Sequence, residues 1–206
     1  VSCFDEAIRL DDGNTQAYNN LGISLLDMND LVQAEAALRN ALAIEPDYAE
    51  AHFNLSRVLL MAEDFEDGWK QNEWRWLCND FPSTWREFPQ AMWQGEDLAD
   101  KTILVWSEQG VGDEIMFANT LPELVQNAEK VIIECNDRLV PVFERSFDSV
   151  TAVARQEPPD SKIENAAADF QIPIGSICKF YRKSVEEFPS DRAGYLTADS
   201  DLTAEI

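Results

Sequence analysis

The residues best equipped for chemistry in this 206-residue chain stand in one short run, Glu108-Gln109-Gly110-Val111-Gly112-Asp113. The run follows Thr102-Ile103-Leu104-Val105-Trp106, an apolar stretch of the kind that makes a strand buried on both faces. It leads into a segment with helical character from Glu114 to about Asn127. Two glycines at such a strand-to-helix turn let the backbone come close to a ligand, and the start of a helix favours negative charge. The spacing nevertheless fails two phosphate-binding patterns. Ile115 stands where a dinucleotide fingerprint needs its third glycine, and no Gly-Lys-Ser/Thr follows as a P-loop would require. Read in isolation, Asp113 is most simply a helix N-cap.

Other reactive side chains are scattered. Cys3, Cys78, Cys135 and Cys178 lie far apart, which suits neither a metal site nor a disulfide framework and points to reduced thiols packed as small apolar groups. His52 is the single histidine and falls where a helical repeat wants a core aromatic, so it reads as packing rather than catalysis. Five of the six tryptophans (Trp69, Trp74, Trp76, Trp85 and Trp93) crowd into one stretch. They read as glue between two domains, with sugar stacking on an exposed indole as the other reading. Arg75 among them could stack on an indole or pair with Glu73.

The elements that must hold the loop come from the second half of the chain. Strands are expected at Thr102–Trp106 and Lys130–Glu134, and weaker ones at Val150–Ala154 and Phe170–Ile172. Between them run the helix after the loop, kinked or restarted at Pro122, and a helix over Leu139–Phe147 behind an Asn136-Asp137 cap. Alternation of strand and helix predicts a parallel sheet with crossover helices.

The first half is periodic in another way. Thr15 to Tyr48 fits one tetratricopeptide unit: Tyr18, Leu21-Gly22 and Leu25 on its first helix, Ala34, Leu38 and Ala41 on its second, and Pro46 at its end. Gly22 and Ala34 are small where the two helices cross, and the leucines supply the apolar stripe. One period earlier, Phe4 and Ala7 take the Leu38 and Ala41 places. One period later, His52, Leu55, Ser56 and Leu59 lie on the next first helix, with Gly68 on its partner. Val1 falls inside a unit, so further chain is expected upstream. Such repeats either present a concave surface to a peptide or partner protein, or serve as a structural arm.

Composition narrows the function classes. The formal charge is −23, with 20 acidic and 6 basic residues up to Asp100 and 19 and 10 after it. Neither half offers a basic tract for phosphates, which disfavours nucleic acid and anionic membrane surfaces as partners. No run is apolar enough for a membrane span, no signal-peptide pattern opens the chain, and a cytoplasmic location is expected.

The series Gly68-Trp69, Glu73-Trp74-Arg75, Trp93-Gln94-Gly95, Ile103-Leu104-Val105-Trp106 and Glu108-Gln109-Gly110-Val111-Gly112-Asp113 resembles bacterial tetratricopeptide proteins with a glycosyltransferase-like domain. These are related to the heptosyltransferases of glycosyltransferase family 9. Phe170-Gln171-Ile172-Pro173-Ile174-Gly175-Ser176 and Gly194-Tyr195-Leu196 look like later landmarks of the same family. The resemblance implies a glycosyltransferase-B architecture of two Rossmann-like domains, the first meeting the acceptor and the second holding the nucleotide-sugar. It divides the chain into repeats over 1–70, a tryptophan-rich connector over 71–100, and the acceptor-side Rossmann-like domain over 101–206, with the donor-binding half absent. Asp113 matches the family's Gly-Asp aspartate, the candidate general base that would deprotonate an acceptor hydroxyl. Gly110 and Gly112 would shape the loop, and Glu108 and Gln109 would hydrogen-bond sugar or phosphate oxygens. No metal and no cofactor are implied. Glu114 and Met116 depart from the threonine and glutamine common in the family.

The chain therefore reads first as part of a sugar transferase that takes a nucleotide-sugar donor and a sugar or protein acceptor, with repeats for protein interaction, and inactive without its donor-binding domain. The competing reading is a tetratricopeptide scaffold with a degenerate, non-catalytic α/β domain. A dinucleotide-dependent enzyme rests on Gly110 and Gly112 alone.

Overall fold

The computed structural model describes residues 1–190 and 194–203, so 191–193 and 204–206 of the expected 101–206 domain lie outside the described residues. The chain divides into two compact units, Val1–Pro82 with Arg182–Phe188, and Ser83–Tyr181 with the residues from Pro189 onward. The division falls inside the expected connector over 71–100. Residues 71–82 complete the helical unit, and 83–100 belong to the other because they run into a strand of its sheet.

The first unit is built from α1 (Ser2–Leu10), α2 (Thr15–Asp27), α3 (Leu31–Ile44), α4 (Ala49–Met61) and α5 (Phe65–Asn72), with a 3-10 turn over Glu73–Leu77. The repeat is visible in its turns. Asn29 and Glu63 both take left-handed backbone, at φ 60° and 65°. The amides of Asp30 and Asp64 then reach back to the carbonyls of Leu25 and Leu59, closing the preceding helix. The same two aspartates cap the next helix by accepting from Gln33 and Asp67 amides. Ala34, Leu38, Ala41, Ala51, Leu55, Val58 and Leu59 form the buried seam. Gly22 is small because Leu38 lies over it: a Cβ there would sit 2.5 Å from the Leu38 Cγ. Leu38 is thus the side chain that Gly22 accommodates most closely. Cys3 departs from the expected packed thiol and is exposed, because no residue of α1 is buried.

Three tryptophans belong to this unit. Trp74 stacks on His52 with ring centroids 3.9 Å apart, and the His52 Nε2 lies 2.7 Å from the Pro46 carbonyl oxygen. Trp69 donates its Nε1 proton to the Arg182 carbonyl. Arg75, fully buried, does both things expected of it: it pairs with Glu73 at 2.9 Å and lies over the Trp76 ring.

The second unit is a five-stranded, wholly parallel sheet in the order β1-β5-β2-β3-β4. Its strands are β1 (Ala91–Met92), β2 (Thr102–Trp106), β3 (Lys130–Cys135), β4 (Val150–Ala154) and β5 (Phe170–Pro173). The two-residue β1 is the one strand without a sequence signal, since Phe88-Pro89 and Gln94-Gly95 bracket it and read as connector. The helices are α6 (Val111–Phe117), α7 (Leu121–Asn127), α8 (Val140–Ser146), α9 (Ser161–Asn165), α10 (Cys178–Tyr181) and α11 (Ser200–Thr203). Pro122 restarts the helix after a 3-10 turn over Ala118–Thr120, and its missing N–H costs nothing in the first turn of α7. Leu104, Ile132, Val153 and Ile163 make a core with Phe88 against it. From β2 the chain steps outward to β3 and β4, then returns to the other side of β2 as β5. Strand order therefore reverses between β2 and β5, where parallel sheets open a crevice beyond their carboxyl ends.

Candidate functional site

The loop singled out by its residue types leaves β2 at that crevice. Opposite it, the chain leaves β5 through the 3-10 turn Ile174–Ser176. The two exits are tied together: Glu108 is fully buried and its Oε1 accepts the Gly175 amide at 2.8 Å. Glu108 thus faces inward across the switch point. Gln109, at φ 62°, takes the left-handed backbone that a side-chain-bearing residue rarely adopts, and its amide donates to the Ser83 hydroxyl.

Gly110 is the N-cap of α6, and Asp113 is its third helical residue rather than the N-cap expected from the isolated run. The reason is the helix start, three residues earlier than Glu114. From that place the Asp113 Oδ2 accepts the Gly110 amide at 3.1 Å, which is half of a capping box. Among the described residues this amide is its one hydrogen-bond partner, and Asp113 is half-buried. Gly112 is exposed, and a Cβ built on it would meet nothing. The loop therefore separates into an inward group, Glu108, and an outward group, Gly110, Gly112 and Asp113.

Glu114 and Met116 also go opposite ways. Met116 is exposed, whereas Glu114 is buried and its Oε2 accepts the Asn136 amide at 2.9 Å, bracing the loop after β3. Burial pushes the Glu114 carboxyl above the usual range; the Asn136 amide, Arg155 and Arg138 pull it down less strongly. The orientation of α6 is fixed from a third side by the Tyr195 hydroxyl, which donates to the Ile115 carbonyl at 2.6 Å.

Sequence reasoning missed a second charged group at the same end of the sheet. Arg86, 4% exposed, pairs with the fully buried Glu134 at the end of β3 and with Glu157. Arg155, the first residue after β4, donates to the Ser107 carbonyl and holds Thr84. Together they strap residues 83–88 over the carboxyl ends of β2, β3 and β4. A cleft of about 330 Å³ opens beside the strap, with Trp85, Arg86, Glu87 and Glu157 among its walls. Burial raises the Glu134 carboxyl, with Arg86 as the opposing influence. A carboxylate ending the apolar run Val131-Ile132-Ile133 was a legible signal; Arg86 carried none.

Among the described residues no group of three or more His, Cys, Asp or Glu side chains could hold a metal ion, and no helix is long and apolar enough to cross a membrane. Burial pushes the Cys78 thiol up to about 11, which keeps it from acting as a thiolate near neutral pH.

Residues 25–68 match the tetratricopeptide repeat family. The chain is 32% identical over 208 residues to Protein FlbA of Caulobacter vibrioides, a match covering 92% of this chain and 34% of that protein. It thus spans about a third of that relative's length. A stretch of 73 residues, 35% of this chain, is 32% identical to 13% of the Protein STIP1 homolog of Dictyostelium discoideum. Among solved structures, an O-GlcNAc transferase mutant of Thermobaculum terrenum aligns with 78% of this chain and 38% of its own. The identity there is 15% and the TM-score 0.34. The family match over 25–68 and the observed sheet give tetratricopeptide helical repeats together with a parallel-sheet α/β unit.

Proposed function

We propose that the α/β unit is the acceptor-side, Rossmann-like half of a sugar transferase of the glycosyltransferase-B kind, and that the repeats are its protein-interaction arm. One observation carries the reading. The strand-to-helix loop that leaves β2 beside the sheet's point of reversal presents Asp113, half-buried and bonded to one backbone amide, beside an open Gly112. A carboxylate in that position can take a proton from an acceptor hydroxyl while a nucleoside diphosphate departs from the donor sugar. The Gly110 bond to Asp113 sets the carboxylate's direction, and Gly112 leaves room for the acceptor. Gln109 keeps its place as the candidate hydrogen-bonding side chain of the loop. Glu108 acts here by holding the two strand exits together rather than by touching substrate. The nucleotide-sugar would be bound by a second domain, as the resemblance to the heptosyltransferases implies.

The inward turn of Glu108 and the burial of Glu114 favour a second reading, a partner-binding scaffold whose α/β unit no longer catalyses. The two readings separate in one experiment. In protein that joins this chain to a donor-binding domain, Asp113→Asn should lower sugar transfer by about a hundredfold or more, the usual scale for a general base. Folding should be unaffected. Transfer unchanged by Asp113→Asn would remove the base, and failure to find donor turnover in the unaltered protein would favour the scaffold.

A further inference from the structure

The cleft beside the strap holds chemistry that proton transfer at Asp113 does not use. Of the five tryptophans crowded together in the sequence, Trp69, Trp74 and Trp76 are half-buried and Trp93 is buried, whereas Trp85 is 44% exposed. Trp85 forms a wall of the cleft of about 330 Å³. It is held there from behind. Its ring meets the fully buried Trp106 in a T-shaped contact, with centroids 5.3 Å apart and planes at 82°. Trp106 in turn donates its Nε1 proton to the Gln171 Oε1 at 3.0 Å, and the Gln171 Nε2 donates to the Phe88 carbonyl at 2.8 Å. An exposed indole gripped on its inner side is a fixed platform.

The other walls decide what the platform can take. The Thr84 hydroxyl and the Glu87 carboxylate are exposed and have no hydrogen bond or ion pair among the described residues. Glu157, also exposed, gives one oxygen to Arg86. Both Nη groups of Arg86 are already engaged, by Glu134, Glu157 and the Gln156 carbonyl, and its Cζ lies 5.2 Å from the Phe88 ring centre. A phosphate or carboxylate ligand would therefore meet Glu87 with no cation to hold it. A bare cation would find Glu157 and the Phe88 ring already serving Arg86. A neutral ring with a C–H face and hydroxyls around its edge fits both features. The negative face of an indole attracts C–H groups, and carboxylate oxygens accept from hydroxyls. The volume lies at the small end of ligand sites, which suits a single ring unit.

We propose that the cleft is a binding subsite for a neutral sugar, with its ring on Trp85 and its hydroxyls donating to Glu87 and Glu157. Ser83, at the head of the same strap, accepts the Gln109 amide, so the subsite and the Asp113 loop share one fixed segment. The inference rests on the transferase reading only in making that sugar part of the acceptor; the binding itself needs no reaction.

The test uses the whole chain labelled with fluorotryptophan and followed by fluorine NMR, the Trp85 signal being the one lost in Trp85→Phe. The probes are methyl glucoside, methyl galactoside, methyl mannoside and N-acetylglucosamine, with glucuronate and choline as the charged comparisons. At least one neutral sugar should shift the Trp85 signal and saturate with a Kd on the order of 1–10 mM. Glucuronate and choline should bind at least about tenfold more weakly. Trp85→Ala, read by saturation transfer to the sugar, should weaken binding at least about tenfold. Glu87→Gln should weaken it about threefold. Because Trp85→Ala also uncovers Trp106, Glu87→Gln serves as the variant that keeps the fold. Absence of any shift with all four neutral sugars would overturn the subsite, as would sugar binding that survives both substitutions. Choline binding as tightly as the sugars would replace it with a cation site. Transfer that still depends on Asp113 without sugar binding here strikes the subsite alone; sugar binding here with transfer indifferent to Asp113→Asn strikes the transferase reading alone.

Discussion

Glu108 and Gly175 stand across the point where strand order reverses, and the hydrogen bond between them, 2.8 Å from amide to carboxylate, spans the crevice that parallel sheets commonly leave open there. Gly175 has no side chain because Glu108 and Phe117 occupy the space: a Cβ would come within 3.1 Å of the Glu108 Cδ and 3.2 Å of the Phe117 ring, and closer still to the Oε1. Gly175→Ala should therefore destabilise the protein by about 2 kcal/mol through overpacking. Glu108→Ala should cost a similar ~2 kcal/mol by orphaning the amide. The double variant should cost less than the sum, since the alanine at 175 no longer meets a carboxylate. Urea unfolding of the four proteins measures the coupling, and strict additivity would mean that the two residues act separately.

Arg86 and Glu134 make the costlier contact to break. Both are buried, and the Arg86 Nε and Glu134 Oε2 lack partners among the described residues, so the pair is imperfectly satisfied as it stands. Arg86→Met leaves the buried carboxylate without its hydrogen-bonded partner and should cost about 3–5 kcal/mol. Replacing both, Arg86→Met with Glu134→Met, should recover most of that loss. Thermal unfolding of the single and double variants decides it; a double variant as unstable as the single would show that the strap needs charge rather than volume.

The elements carried by strong periodicity were legible in the residues. The repeat from Thr15 to Tyr48 and the strand Thr102–Trp106 each repeat one physical requirement, a helical stripe or an unbroken apolar run, over many positions. What stayed hidden depends on contacts between distant residues. Nothing local marks Ala91–Met92 as a strand, because its pairing is supplied by Phe170 and Gln171. Nothing near Glu108 says that it turns inward, because the amide it accepts is 67 residues away. Arg182–Phe188 likewise joins the helical unit through Trp69 and through Phe188 against Phe65, at a centroid distance of 4.8 Å. For the site itself, the loop was found by residue type, and the capping place of Asp113 came only with the true start of α6.

Gly22 tests which of two opposed effects governs the repeat. In a helix interior Gly→Ala is worth up to about 1 kcal/mol in propensity. Here the new methyl would lie 2.5 Å from the Leu38 Cγ and 2.9 Å from its Cδ2, and Leu38 is fully buried. Overpacking of about 1–3 kcal/mol should win, so that Gly22→Ala lowers stability. Gly22→Ala placed on a Leu38→Ala background should instead raise stability relative to Leu38→Ala alone, because the methyl then enters the vacated space. The sign reversal, read by circular dichroism melts, is the expected outcome; the same sign in both backgrounds would place the cost elsewhere than at Leu38.

Glu114 offers a pH test with a definite sign. Burial is the dominant influence and raises its folded-state pKa above the unfolded value. The stabilising contribution of such a group is complete below the unfolded carboxylate range and is lost as pH rises through the folded pKa. Glu114→Gln abolishes the titration while keeping a side-chain oxygen to accept the Asn136 amide. The stability of the unaltered protein relative to Glu114→Gln should therefore fall as pH rises from the ordinary carboxylate range through the raised folded-state value. Denaturant unfolding of both proteins at a series of pH values isolates this one carboxyl from the many exposed ones, which titrate alike in each. A difference that instead grew with pH would mean that Arg155, Arg138 and the Asn136 amide outweigh burial, and that the carboxylate at the base of α6 is held charged by its surroundings rather than tolerated in spite of them.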